Sequence, residues 1–596
     1  MCRIVGIIDQ NQNPEQLFRD VQLMCDSMKH GGPDDEGFFA APALGLQFGH
    51  RRLALIDLTT NGHQPMSDQD KNLTLTFNGE IYNYLELKKE LTAEGLIFKT
   101  QSDTEVILAA YQFWGVESFK KFAGMFAFAI YDKVKQITFL VRDQMGIKPL
   151  YYAAADNRLI FASEVKAFKA CSYPFEENPD WKIYFLAFGH IPHPFTTLQE
   201  VKSLDPGHFL KWDHQGNNFV IASFKEDLKP KTVFNQQEAS QLIAKKLEHA
   251  VKQTLIADAP LGVFLSGGID SSIITLLADQ SIGKNLKSLS INFEEEAYSE
   301  EVFQKIIADQ INGAHHSYQV KEADLTANFD QILEAMDQPT NDGINSWFVT
   351  QYAKADGLKA VLSGIGADEL LGGYPSFKRV KLIRRLKRTP RSLLKLSEYI
   401  PHDKLKRISY LSYQNPIGEY LFLRGFFTPQ TIAKTLNIDQ KRIDQLLEDF
   451  PINKSIDFLE GEERVSWMET NLFMQNQLLK DTDFMSMHHG IEVRVPFLDQ
   501  DFLATIQNIA NQQRFSNRPK GLLIDAFKHI LPESIWNRPK MGFTFPLQQW
   551  FLKNERIVNE KNYEGHALQL IKKFKAGKLH WSKAFALYQI AKSDNN

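Results

Sequence analysis

Apolar positions in the first part of the chain come in short runs parted by turn residues, the pattern of strands. CRIVGII (2–8), LTLTF (73–77), MFAFAIY (125–131), ITFLV (137–141) and LIFAS (159–163) are such runs. After the first of them, Leu17, Val21, Met24, Cys25 and Met28 fall on one face of a helix, with Asn13 as its cap and Pro14 in its first turn. Many strands with few helices predict packed sheets flanked by helices. A polar stretch, FKEDLKPKTVFNQQ (224–237), reads as an interdomain linker.

Beyond it the rhythm becomes strand–helix–strand. LGVFL (261–265), LKSLSINF (286–293), HHSYQV (315–320) and KAVLS (359–363) alternate with helical stretches such as SIITLLADQ and EEVFQKIIADQ, one ending near Met336, and one over 346–356. This predicts a parallel sheet covered by helices, with its binding crevice beyond the carboxyl ends of the strands. From about residue 376 the pattern is mostly helical. Its basic run KRVKLIRRLKRTPRSLLK (378–395) reads as a solvated helix face rather than a nucleic-acid patch. The expected division is 2–215 and 235–596.

Composition adds exclusions. A chain of 596 residues exceeds one core. With 43% hydrophobic residues, 23% charged and a net charge of -4, it lacks the basic balance of a nucleic-acid or membrane-surface binder. Three cysteines, Cys2, Cys25 and Cys171, make no disulfide framework and point to a reducing compartment. No apolar run approaches the ~18 residues of a membrane span, and the start is no secretory signal. A cytoplasmic protein is expected.

The first candidate chemistry stands at the start. Removal of Met1 would leave Cys2 with a thiol and a free α-amine, nucleophile and base in one residue; the alternative is a buried thiol on a strand. GHRRLALIDL (49–58), FNGEIYNY (77–84) and QSDTEVIL (101–108) each set polar groups at the end of an apolar segment. Asn78 and Gly79 can offer an amide and a backbone N–H to an oxyanion. Arg52 suits a carboxylate and Asp103 an ammonium. Singly, these also read as a surface arginine, an Asn-Gly turn and a capping aspartate.

Together, behind an N-terminal cysteine, these segments resemble the glutaminase domain of class II glutamine amidotransferases. The resemblance implies an N-terminal-nucleophile αββα sandwich, a thioester on Cys2, an oxyanion held by Asn78 and Gly79, and glutamine bound by Arg52, Glu80 and Asp103 with that same pair. HGGPDDEG (30–37) departs from the family's usual HRGPD in having Gly31.

The second chemistry is SGGIDSS (266–272), between a strand and a helix. Ser266, Gly267 and Gly268 can turn N–H groups to an anion, and Ser271 and Ser272 open the helix. There is no Walker lysine. The loop resembles the pyrophosphate loop of enzymes that split ATP between its α and β phosphates. VLSGIGADELLGGY (361–374) would then face the same crevice, with Leu265, Ser363 and Gly364 at the nucleotide and Asp270 with Asp368 holding Mg²⁺.

Both halves in one chain resemble the glutamine-hydrolysing asparagine synthetases. The implied architecture is an α+β glutaminase domain followed by an α/β ATP-pyrophosphatase-type synthetase domain with a helical C-terminal part. IEVRVPFLD (491–499), within which RVPFLD can also be a purely structural, ion-paired and packed turn, and NRPKMGFTFP (537–546) fit the synthetase half. They put Lys540 beside the acyl-adenylate, with Lys520 a weaker phosphate contact. The implied reaction uses glutamine and ATP with Mg²⁺ to amidate a carboxylate, releasing AMP, pyrophosphate and glutamate. Ammonia would pass between the sites through an apolar interior.

The family's SGEGxDE carries a glutamate where this chain has Ile365, and MDQPTNDGINSWFVT (336–350) also differs, which resembles a divergent branch. L-Aspartate is the first acceptor to expect, with another acid, such as a sugar acid or secondary-product acid, as the alternative. A non-catalytic glutamine or ATP sensor is the third reading. Small molecules are the expected partners, without nucleic acid or membrane; oligomeric state stays open, a homodimer among the options. His315-His316 and His488-His489 lack metal-ligand spacing.

Overall fold

The computed structural model describes residues 2–155, 157–225, 230–400, 402–516 and 518–594. Met1 and positions 226–229 of the stretch read as a linker lie outside the described residues.

The strand Arg3–Asp9 shows how the first half is layered. Successive side chains point to opposite faces of a sheet. Val5 and Ile7 therefore face one way, against Leu17, Val21 and Met24 of the helix Pro14–Ser27. Ile4 and Ile8 face the other way, against Ala127, Ala129 and Leu140 of a second sheet. That second sheet buries Phe77, Phe126 and Phe128 under the helices Tyr84–Ala93 and Asp103–Trp114. Helix, sheet, sheet, helix is the αββα sandwich, built from two six-stranded sheets whose strands lie between residues 3 and 223. The Asn13 side chain caps the first helix by accepting from Glu15 N–H at 2.8 Å, as its position predicts.

The third sheet is five-stranded and wholly parallel. Leu261–Phe264 lies at its centre, flanked by Lys287–Phe293 then Ala314–Val320 on one side and Ala360–Leu362 then Glu492–Arg494 on the other. Its interior strands are buried on both faces; Lys287–Phe293 sets Leu289, Ile291 and Phe293 among the buried residues and also buries Ser288, Ser290 and Asn292. The last strand runs into a buried turn at Pro496–Leu498, which is how RVPFLD reads, and its ion pair lies on the strand itself. Glu492 and Arg494 are fully buried, and the Arg494 Nε donates to Glu492 Oε1 at 2.6 Å. The remaining chain forms a helical body around its own core.

The two parts meet on charge as well as on apolar surface. The Arg3 guanidinium pairs with Glu164 at 2.5 Å and with Asp483 at 2.9 Å, and Lys148 reaches Asp483 at 3.2 Å, all buried. A Cβ on Gly31 would come within 2.9 Å of the Arg3 side chain. The glycine that departs from the family's motif thus leaves the space Arg3 fills. Among the described residues no helix is long and apolar enough to cross a membrane.

Candidate active sites

Cys2 stands at the head of the first strand, 7% exposed, its Sγ donating to Leu53 O at 3.9 Å. Burial pushes its thiol up to about 11; the Arg52 charge works downward and the Glu80 charge upward. Arg52 closes the strand Leu46–Arg52. Its guanidinium is fixed by the carbonyls of Asp57 at 2.5 Å and Thr59 at 3.0 Å. No carboxylate pairs with it among the described residues, which leaves its charge available to an anion.

Asn78 lies on the strand Leu73–Ile81, fully buried, and both polar atoms of its side chain lack a hydrogen-bond partner. Such atoms cost free energy unless a ligand satisfies them. The next residue, Gly79, has φ +150°, and a Cβ there would stand 2.0 Å from Met125 O, so only glycine fits. Asp103 opens its helix with Oδ2 accepting from Ile81 N–H at 3.0 Å, and burial pushes its carboxyl up to about 6. Glu80 is driven well above the carboxylate range, first by burial and then by the charges of Glu492 and Asp103. Cys2 thus lies within reach of the Arg52 and Glu80 charges and Glu80 within reach of Asp103, with Asn78 and Gly79 immediately before Glu80 on its strand.

Glu80 also faces the second half of the chain. Its Oε2 lies 3.8 Å from an Arg494 nitrogen, and Arg494 donates to the carbonyls of Thr254 and Ile256 at 2.8 and 2.6 Å. Sequence reasoning left this motif without a partner. The structure makes it a charged brace between the sites.

The second site is a crevice of about 1210 Å³ at the carboxyl end of the parallel sheet. Leu265, Ser266, Gly268, Asp270 and Ser271 line it from one loop, and Ser363, Gly364, Ile365 and Asp368 from the other. Gly267, at φ +79°, turns the first loop from behind; its carbonyl accepts from Arg538 at 2.9 Å. Ser272 does not reach the crevice: it is fully buried in the helix Ile269–Ile282. The loops touch closely enough that a Cβ on Gly364 would come within 2.9 Å of the Asp270 side chain.

Lys520 bridges the two loops, bonded to Asp270 and lying 2.5 Å from Asp368 Oδ1. Lys540 reaches Asp368 Oδ2 at 2.7 Å and stands 4.8 Å from the Tyr374 ring. Burial works to raise the Asp368 carboxyl, but the two ammonium groups outweigh it and hold it below its ordinary range. The same carboxylates raise Lys520 against its burial. Two lysines and two aspartates therefore form one cluster, in which Lys520 is more central than sequence reasoning made it.

Other crevice residues went unread. Lys378 and Lys381, from the basic run taken as a solvated face, line the wall. So does Asp481, 5% exposed, with one oxygen accepting from Thr340 Oγ1 at 2.8 Å and its carboxyl driven up by burial and then by Asp342. No sequence signal separates Asp481 from a helix-surface aspartate. No group of three or more His, Cys, Asp or Glu among the described residues is placed to hold a metal. His316 bonds Asp356 and His489 packs on Trp347. One apolar cluster joins Leu53, Tyr82, Met125 and Ile147 of the sandwich to Leu265, Ile365 and Leu478 at the crevice.

An N-terminal-nucleophile sandwich joined to an α/β nucleotide-type domain, each with its site, defines a ligase of the glutamine amidotransferase type. Residues 1–224 match the family model described as a glutamine amidotransferase domain, and 242–568 match that described as asparagine synthase. The chain belongs to the asparagine synthase family. It is 32% identical to asparagine synthetase [glutamine-hydrolyzing] 1 of Bacillus subtilis over 93% of this chain and 88% of the relative. Asparagine synthetase [glutamine-hydrolyzing] 3 of the same organism is 30% identical over 91% and 87% of the two chains. An amidase of Gibberella zeae, chry2, is 26% identical over 93% and 90%.

Proposed function

We propose that the protein hydrolyses glutamine at Cys2 and uses the ammonia to amidate a carboxylic acid activated as its acyl-adenylate. The observation that carries this reading is the buried, unpartnered Asn78 amide in the sandwich, together with one apolar cluster that runs from Leu53, the residue whose carbonyl Cys2 contacts, to a crevice built on SGGIDSS.

The Cys2 thiolate attacks the glutamine side-chain carbonyl, and Asn78 with the Gly79 N–H receives the oxyanion. Arg52 takes the substrate carboxylate and Asp103 its ammonium, with Glu80 closing the pocket. Ammonia leaves, and water releases glutamate from the thioester. The raised thiol needs a base; an α-amine on Cys2 itself would supply one.

In the crevice, a carboxylate oxygen of the acceptor attacks the α-phosphorus of ATP, and pyrophosphate leaves toward SGGIDSS and Lys520. Mg²⁺ fits there, since Asp270 Oδ1 is buried without a hydrogen-bond partner and Mg²⁺ needs few protein ligands beside phosphates. When bound it would neutralise the leaving pyrophosphate. Lys540 steadies the adenylate charge. Ammonia then attacks the acyl carbon, AMP leaves, and a proton passes to a base. Ile365 cannot take that proton. Asp481, in the same wall, is the carboxylate we assign to it.

Two acceptors fit: aspartate, as in the names of the bacterial relatives, and another acid, as the amidase-named relative allows. Ile365 favours the second, because it alters the crevice where the family resemblance expects a glutamate. The test is acceptor-dependent release of AMP and pyrophosphate. Cys2→Ala should abolish it with glutamine and keep it with ammonium; survival of both activities at wild-type levels would overturn the glutaminase assignment.

A further inference from the structure

Beside the crevice is a second space, a lobe of about 790 Å³, to which the partly exposed rings of Tyr298, Phe426, Phe473, Phe543 and Trp581 contribute. Asp342, Asn345, Tyr374 and Phe543 line both, so the two spaces adjoin. With ATP in the crevice beside SGGIDSS, the lobe lies where an acceptor would sit. Its volume suits a drug-sized ligand, for which pockets run ~300–1,000 Å³. A free amino acid such as aspartate would leave most of the aromatic wall bare, without the dispersion contacts that make such a wall bind.

The charge of the lobe narrows the choice. Arg379, Arg407 and Arg424 reach it, against the single carboxylate of Asp342. Arg424 is held by Glu469 at 2.6 Å and lies 3.5 Å from the Phe473 ring centre. Arg379 gives one N–H to Leu423 O at 3.1 Å and has no carboxylate partner among the described residues. It is the arginine whose charge is left for a ligand. The Tyr374 ring, fixed by its hydroxyl donating to Glu369 at 2.7 Å, stands at the junction beneath Lys540. A ligand stacked on the aromatic wall would extend one carboxylate past Tyr374 to the α-phosphate and a second anion to Arg379.

We infer that this lobe is the acceptor subsite and takes a carboxylic acid built on a ring and carrying a second anionic group, in preference to free aspartate. The inference rests on the amidation reading above and names its substrate class.

The test compares three probes, aspartate, glucuronic acid 1-phosphate and 4-carboxyphenyl phosphate, on the full chain. Binding is titrated calorimetrically with α,β-methylene-ATP and Mg²⁺ present, and pyrophosphate release is measured with ATP. Both ring acids should bind ~10-fold or more tightly than aspartate, the size of one charge-assisted contact. Arg379→Ala, at an exposed side chain, should remove most of that preference, and Trp581→Phe should reduce it. Aspartate binding as tightly as the ring acids, with pyrophosphate release and no effect of Arg379→Ala, would overturn the inference and leave the amidation reading standing. No pyrophosphate release with any of the three would overturn both.

Discussion

Asp103 and Asp481 are buried carboxyls whose chemistry depends on being out of water. Burial lifts Asp103 to about 6, so it is ionised above that pH and neutral below it. An ionised Asp103 attracts the glutamine ammonium; a neutral one does not. KM for glutamine should therefore rise as pH falls through about 6 and stay flat above it, and Asp103→Asn should raise KM and remove the dependence. Steady-state glutaminase rates between pH 5 and 8 check this. For Asp481, replacement by Asn keeps the shape and removes the base. Amide formation should fall ~10²–10⁴-fold with either nitrogen source, while acceptor-dependent adenylation, read as exchange of labelled pyrophosphate into ATP, persists. Loss of both together would mean that Asp481 only holds the crevice together. The placement of Cys2 at the head of a strand and of SGGIDSS between a strand and a helix could be read from sequence, because apolar runs bounded by turn residues mark strand ends. The place of Asp481 could not, since only the packing of distant segments brings a helix aspartate to the crevice wall.

Among the elements, the strand Glu492–Arg494 has the widest consequences. Its run does alternate, Ile491, Val493 and Val495 against Glu492 and Arg494, but that pattern predicts a strand with its polar face in solvent, not one with buried charges. It is buried because its charges satisfy one another and the Thr254 and Ile256 carbonyls, and because Glu80 approaches from the sandwich. Removing one partner of a buried ionic group leaves the others uncompensated, at about 3–5 kcal/mol. Arg494→Met should cost that much in denaturant unfolding. It should also lower glutamine-dependent synthesis more than ammonia-dependent synthesis, because it loosens the brace behind Glu80. An equal fall in both would make the strand a stability element alone. The basic run at 378–395 teaches the converse: Lys378 and Lys381 follow the charge pattern of a solvated face and yet line the crevice. Charge pattern alone does not say which solvent-facing surface is concave.

At the scale of the molecule, the alternation of strands and helices was enough to anticipate both architectures, because sheet layering follows from side-chain period. The joint between them was not legible. Arg3, Lys148, Glu164 and Asp483 are far apart in sequence, and Gly31 reads as a lost arginine until Arg3 is seen beside it. The apolar cluster from Leu53 to Ile365 has the same character, being assembled from both halves. Its proposed role is to carry ammonia between sites without exchange with water. Glutamine labelled with ¹⁵N in its amide, supplied with MgATP, an acid that supports pyrophosphate release and an excess of unlabelled ammonium, tests that role most directly. The amide product, read by mass spectrometry, should carry the label undiluted by the bulk ammonium. Product labelled only in proportion to the mixed ammonia pool, or not at all, would contradict the coupling of the two sites.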